Sequence, residues 1–169
     1  VLNWSCSKEW LEPDPLSFYA PENVFIDEAG FEAGLNRCRK EMNAENHGDL
    51  NPTALDHMAS DLAVPLWDAD WRRMTTNSWA PTGQSILYSL VDGLPKYYGY
   101  IKNANTIISR IDDVEWDDQS VRSRILGEAY WFRAYWYYRL VHTYGDVPWE
   151  GEEVIGAKLD YQSTSRWAI

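Results

Sequence analysis

Two long stretches with helical periodicity, separated by only a few residues, constrain the fold of this chain most strongly. In the first stretch, apolar residues recur at steps of four, three, four and three, the spacing of one α-helical face. We expect this helix to begin between Asp92 and Pro95. Its apolar face consists of Tyr97, Ile101, Ala104, Ile108 and Ile111.

The second stretch predicts a helix from about Asp118 to Tyr144, which Gly145 ends and Pro148 keeps from resuming. It is apolar on most of its circumference, so we expect burial on several sides. The connector has about six residues, and short connectors join antiparallel helices. The predicted core positions of this helix are Ile125, Ala129, Trp131, Phe132, Trp136, Tyr137, Tyr138 and Leu140.

An earlier helix is predicted to begin after Asp27, which is a good N-cap residue. Its apolar face comprises Phe31, Leu35, Cys38 and Met42. We expect Cys38 to be a buried, inert thiol. The fold class is therefore all-α, with tetratricopeptide-like helical hairpins and long irregular loops. Leu126 and Gly127 match the opening of a tetratricopeptide helix, in which a small residue lets the partner helix approach.

The remaining segments are predicted to be irregular. Residues 1–26 form an extended strap in which Pro13, Pro15 and Pro21 break any helix, and Phe25 pins the strap to the core. Residues 47–92 contain a long excursion, and such excursions are usually functional. The segment 164–169 is typical of a helix start, with a Ser/Thr cap before an apolar run.

Composition excludes several functions. The net charge is −11, and an acidic chain is poorly suited to bind nucleic acid, so no nucleic-acid partner is expected. No apolar run reaches the roughly 18 residues that cross a bilayer. The histidines lack zinc-binding spacing, and the carboxylates at 112–118 are typical of a solvated connector that caps the next helix. We therefore predict no catalytic residue, metal site or cofactor.

Four blocks of sequence resemble those of one family, in the family's order. The most specific runs from Gly127 to Pro148, with Gly-Glu-Ala, Arg133-Ala and the final Tyr-Gly-Asp-Val-Pro. The others are Cys6–Pro15, Tyr100–Ile108 and Ser165–Ile169. This pattern is similar to that of SusD/RagB proteins, which are nutrient-binding lipoproteins on the surface of Gram-negative bacteria.

The resemblance implies an organisation and a function. Family members are about three times longer, so we expect an N-terminal strap at 1–26 and a truncated SusD-like N-terminal helical domain at 27–169. It implies a non-enzymatic protein that captures glycan and delivers it to a SusC-like TonB-dependent transporter. It also implies a lipid anchor on Cys6 at the outer surface of the outer membrane, although Asn3 stands where a lipobox usually has Leu.

The candidate ligand residues lie in the long excursion. Tryptophan rings can stack on sugar C–H faces, and Arg and Asn can bond to hydroxyl groups. On that chemistry we expect a glycan platform among Trp67, Trp71, Arg72, Asn77 and Trp79. The alternative is that these indoles pin the loop onto the helices. For the whole protein, a tetratricopeptide-like protein-interaction scaffold and a peptide binder remain open.

Overall fold

The computed structural model describes residues 20–47, 84–156 and 158–169, with residues 84–92 described through their backbone alone. The described chain is predominantly helical, which confirms the predicted all-α class. The elements in chain order are α1 Pro21–Val24, α2 Glu28–His47, α3 Gln84–Arg110, α4 Gln119–Tyr144, β1 Val147–Pro148 and β2 Ser163–Thr164.

The start of α2 follows the sequence prediction, whereas the strap before it differs. Asp27 Oδ1 accepts a 2.8 Å hydrogen bond from the Gly30 amide, as expected of a capping residue. Pro21 was predicted to break any helix, yet it begins the short helix α1. Proline suits this position because the first turn of a helix does not use its backbone N–H. The ring centroids of Phe25 and Phe31 lie 5.2 Å apart. This contact confirms that Phe25 pins this segment to the core.

Helix α3 begins earlier than predicted, at Gln84, and Pro95 lies inside it. A proline has a helix-compatible φ and removes only one backbone donor, so a long helix can contain it when packing compensates. At Gly93, an added Cβ would lie 2.6 Å from Tyr144 Oη, so the glycine permits close approach of α4. The predicted stripe is buried except at Ile108, which is half-buried. Its neighbour Ile107, which was not predicted to belong to the stripe, is fully buried instead.

Helix α4 has the predicted bounds, and the α3–α4 pair is antiparallel. The Asp118 side chain caps it by accepting a 2.7 Å bond from the Ser120 amide. Gly145, at φ 78°, donates its N–H to Val141 O, which ends the helix. Because Tyr144 at the end of α4 contacts Gly93 near the start of α3, the two helices run in opposite directions.

The core consists of two adjoining clusters. The first joins α2, α3 and α4, and the second joins α3, α4 and β1. Met42 packs against both, so they form a continuous interior. Burial raises the pKa of the Cys38 thiol to about 12, which confirms a buried, unreactive cysteine. The largest fully buried side chains are Trp136, Phe31, Leu35, Ile101, Ile107, Ile111, Ile125 and Leu140.

Two predictions for α4 are wrong. Trp131 and Tyr138 were placed in the core, but they are 51% and 53% exposed. They lie on the side of α4 that the other described helices do not cover, whereas Phe132, Trp136 and Tyr137 are buried as predicted. Gly127 was expected to admit a partner helix, yet no described atom lies within 4 Å of a Cβ added there.

A small β-pairing was not predicted. Val147 pairs with Thr164 and Pro148 with Ser163, antiparallel to each other. The segment after β2 was predicted to start a helix, and in the structure it forms a turn. The Ala168 N–H donates to Ser165 O at 2.8 Å in this turn.

Candidate functional site

The predicted ligand and anchor residues lie outside the part of the chain that the structure describes. These residues are Cys6, Trp67, Trp71, Arg72, Asn77 and Trp79. Their roles stay predictions. The described residues instead present an exposed aromatic surface, a rigidly held segment after β1 and two buried carboxylates.

The surface here called the aromatic face comprises the exposed residues Trp131, Tyr138 and His142 of α4, together with Tyr135, which is half-buried. Steps of four, three and four keep these residues on one side of the helix. The rings of Trp131 and Tyr135 stack with centroids 5.5 Å apart and an interplanar angle of 12°. The ring centroids of Tyr138 and His142 lie 4.1 Å apart. Exposed, preorganised rings of this kind suit the apolar face of a ligand or of a protein partner.

The segment after β1 is held by side chains of both hairpin helices. Asn105 Nδ2 donates to Glu150 O at 3.0 Å and to Glu152 O at 3.1 Å. Tyr98 Oη donates to Pro148 O at 2.6 Å. Arg133 Nη1 donates to Gly151 O at 2.7 Å. These hydrogen bonds fix the irregular backbone in one conformation, although the segment itself does not form a regular series of backbone hydrogen bonds.

Arg133 also links this segment to two aromatic rings. Its guanidinium lies 5.0 Å from the ring centroid of Tyr130 and 5.5 Å from that of Trp149. The same Nη1 atom donates to Asn105 Oδ1 at 3.1 Å. The contacts of Arg133 are therefore structural. The structural role of Asn105 was not predicted from the sequence. Its position beside the apolar stripe of helix α3 was the available signal that it is buried.

Two glutamates of α2 are buried in the interior. Glu45 is 3% exposed and accepts a 2.7 Å hydrogen bond from Tyr97 Oη, together with an ion pair from Lys96. Glu41 is 4% exposed, and its Oε1 accepts bonds of 2.6 Å from Arg37 Nε and 2.6 Å from Asn103 Nδ2.

The electrostatics of Glu41 follow from this burial. Burial raises the pKa of Glu41, although Arg37 and Asn103 oppose the shift. Its Oε2 has no hydrogen-bond partner among the described residues. Burial of these two glutamates was not predicted from the sequence. Glu45 continues the four-three spacing of the α2 stripe, which could have revealed its inward position.

Arg124 pairs with Glu128, one helical turn away, at 2.9 Å, and this pair belongs to a larger surface network. Arg39 of α2 pairs with Glu128, and Glu32 pairs with both Arg124 and Arg39. These four residues join α2 to α4 at the surface. Their arrangement orients helices and presents no group with an open position for chemistry.

No described helix combines the length and apolarity needed to cross a membrane. Within the same residues, no three His, Cys, Asp or Glu side chains come together as a metal-binding group. The aromatic face is one exposed surface that the described chain presents.

Comparison with known proteins places the chain among SusD-like sequences. A SusD-like family model, described as "Starch-binding associating with outer membrane", matches residues 9–165. SusD-like protein P2 of Formosa agariphila is 29% identical over 140 residues, which cover 82% of this chain and 27% of that protein. SusD-like protein P25 of the same organism is 26% identical over 166 residues, covering 90% and 30% respectively. The chain thus spans less than a third of these relatives' length, and no solved structure matches it.

Proposed function

This chain belongs to the SusD-like family, and on that premise we propose that it is part of a surface lipoprotein that captures glycan and delivers it to a SusC-like TonB-dependent transporter. The observation that carries the proposal is the family match across nearly the whole chain, because the family description joins starch binding to the outer membrane. The proposed activity is binding without catalysis.

The proposed glycan platform lies on the loop tryptophans. Trp71→Ala and Trp79→Ala, made in the full-length gene product, should each weaken retention in affinity electrophoresis through soluble starch. Trp167→Ala is the matched control, because Trp167 is an exposed indole of the described chain. If the indoles only pin the loop, both variants will bind starch like the wild type and lose thermal stability instead.

The proposed anchor is a lipid on Cys6. Lipoproteins of this kind need more than one acyl chain for stable attachment, so the modified peptide should carry several. Mass spectrometry of the N-terminal peptide from native membranes measures this directly. A Cys6→Ser variant should leave the membrane fraction, and an unmodified thiol in the native protein would reject the anchor.

A protein-interaction scaffold is the second candidate, because the aromatic face favours it. A row of exposed aromatic side chains on one helix is also what a protein partner recognises. Transporter co-purification separates the two functions. Transporter binding without glycan binding would favour the scaffold, whereas retention of neutral glycan would favour capture. Retention of peptides in place of glycans would favour the peptide-binding alternative.

A further inference from the structure

A cleft of about 580 Å³ lies between helix α3 and the segment after β1. This volume falls within the roughly 300–1,000 Å³ of typical small-molecule sites. None of the residues of the aromatic face lines the cleft. The lining residues that matter here are Pro95, Tyr98, Ile101, Lys102, Glu152 and Tyr161.

The floor of the cleft is rigid. Ile101 and Asn105 are buried in α3, and Asn105 bonds to the backbone carbonyls of Glu150 and Glu152 across the cleft. Tyr98 makes a further cross-bond to Pro148 O. The helix and the facing segment are therefore held at a set separation, which lowers the entropy cost of binding.

The outer wall is also held in place. Lys158 Nζ lies 5.5 Å from the ring centroid of Tyr161 and donates a 2.6 Å hydrogen bond to Glu150 Oε1. Tyr161 itself is half exposed, so its ring is available to a ligand. Phenol rings at Tyr98 and Tyr161 thus line a pocket whose position depends on the fixed contacts of Glu150 and Lys158.

The chemistry of the lining selects one ligand class. The rings of Tyr98 and Tyr161 can pack against the C–H face of a sugar ring. At the exposed mouth, Glu152 can accept hydrogen bonds from hydroxyl groups, and Lys102 can donate to them. An anionic sugar would face Glu150 and Glu152 on a chain of net charge −11, which disfavours it.

We propose that this cleft is a subsite for a ring of a neutral oligosaccharide, additional to the loop tryptophans; the proposal rests on the glycan-binding function above. Gly99 lines the cleft, and no described atom lies within 4 Å of a Cβ added there. Gly99→Leu should therefore fold normally and fill the space. Gly127→Leu is the matched control, since Gly127 is an equally open helical glycine outside the cleft.

The experiment is calorimetric titration of the full-length gene product with maltoheptaose, preceded by a neutral-glycan array. Tyr161→Ala and Gly99→Leu should each lower the affinity about tenfold, the loss expected from one stacked ring. Gly127→Leu and Trp167→Ala should bind like the wild type.

Different failures overturn different statements. A wild type that binds no neutral glycan overturns the proposed function itself. If the wild type binds and the Trp71→Ala variant is impaired while both cleft variants bind normally, only the subsite is overturned. Cleft-dependent binding of an oligogalacturonide or a neutral hexapeptide, without maltoheptaose, would likewise overturn the assignment to neutral sugars.

Discussion

Glu45 shows how one buried carboxylate ties two helices together. Replacing it with Ala removes the acceptor that Tyr97 Oη uses in the interior and leaves Lys96 without its partner. We expect a loss of about 2 kcal/mol in the free energy of unfolding, measured by urea denaturation. Glu45→Gln keeps an acceptor and should cost less. Lys40→Ala, at an exposed site on the same helix, is the control. Equal stability of the Glu45→Ala variant and the wild type would contradict this role.

Glu41 should make stability depend on pH in the opposite sense to an ordinary salt-bridged carboxylate. Because burial raises the folded-state pKa of Glu41 above its ordinary value, protonation is more favourable in the folded chain than in the unfolded chain. The stability that this raised pKa contributes is fully present below the ordinary pKa of a glutamate. It is lost as pH rises through the folded-state pKa. The wild type should therefore lose stability relative to Glu41→Gln as pH increases from 4 to 8, as measured by thermal melts at each pH. Glu28→Gln controls for removal of a charge on α2. An unchanged difference across this range would refute the effect.

At the scale of one element, one glycine inside helix α4 and one at its C-cap have opposite expected effects. Gly145 adopts φ 78° at the C-terminus, where an L side chain is strained, so Gly145→Ala should destabilise by about 1–3 kcal/mol. Gly127 lies mid-helix with open space around it, so Gly127→Ala should stabilise by about 0.5–1 kcal/mol. Urea midpoints of both variants measure this. The two substitutions are each other's control, and the same sign for both would contradict the assignment.

At the scale of the whole molecule, Trp136 is the main junction of the second core cluster. It is fully buried and stacks against Tyr97, with centroids 5.6 Å apart. Trp136→Ala should cost about 3–5 kcal/mol, because it removes a large side chain from a packed interior. Trp131→Ala, on the exposed aromatic face of the same helix, should cost about 0.5 kcal/mol or less. Comparable losses for the two tryptophans, in matched denaturation curves, would show that the aromatic face is packed in solution.

Much of the fold could be predicted because helix periodicity and capping are local. The stripe of Phe31, Leu35 and Cys38 is buried as expected, and Asp118 and Gly145 bound α4 at the predicted ends. Local rules failed where a residue has two uses. Pro21 was predicted to break any helix, yet it begins one, and Pro95 was predicted to lie near a helix start, yet it lies well inside α3.

The candidate binding surfaces were less predictable. The aromatic face has the same spacing and residue types as a core stripe, so the periodicity of Trp131 and Tyr138 could not separate exposure from burial. The cleft between α3 and the segment after β1 brings together residues from α3 and from the part of that segment that includes Tyr161. No local pattern connects positions so far apart in the chain.

The sequence by itself determined the helical class, the start of α2, the bounds of α4 and the family, because each depends on short-range spacing or on motif residues read in order. Only the tertiary structure decided that Glu41, Glu45 and Asn105 are buried, that β1 pairs with β2, and that Trp131 faces outward. The physical reason is that burial and pairing are set by neighbours supplied by distant segments. A side chain's own type and spacing leave those neighbours unspecified.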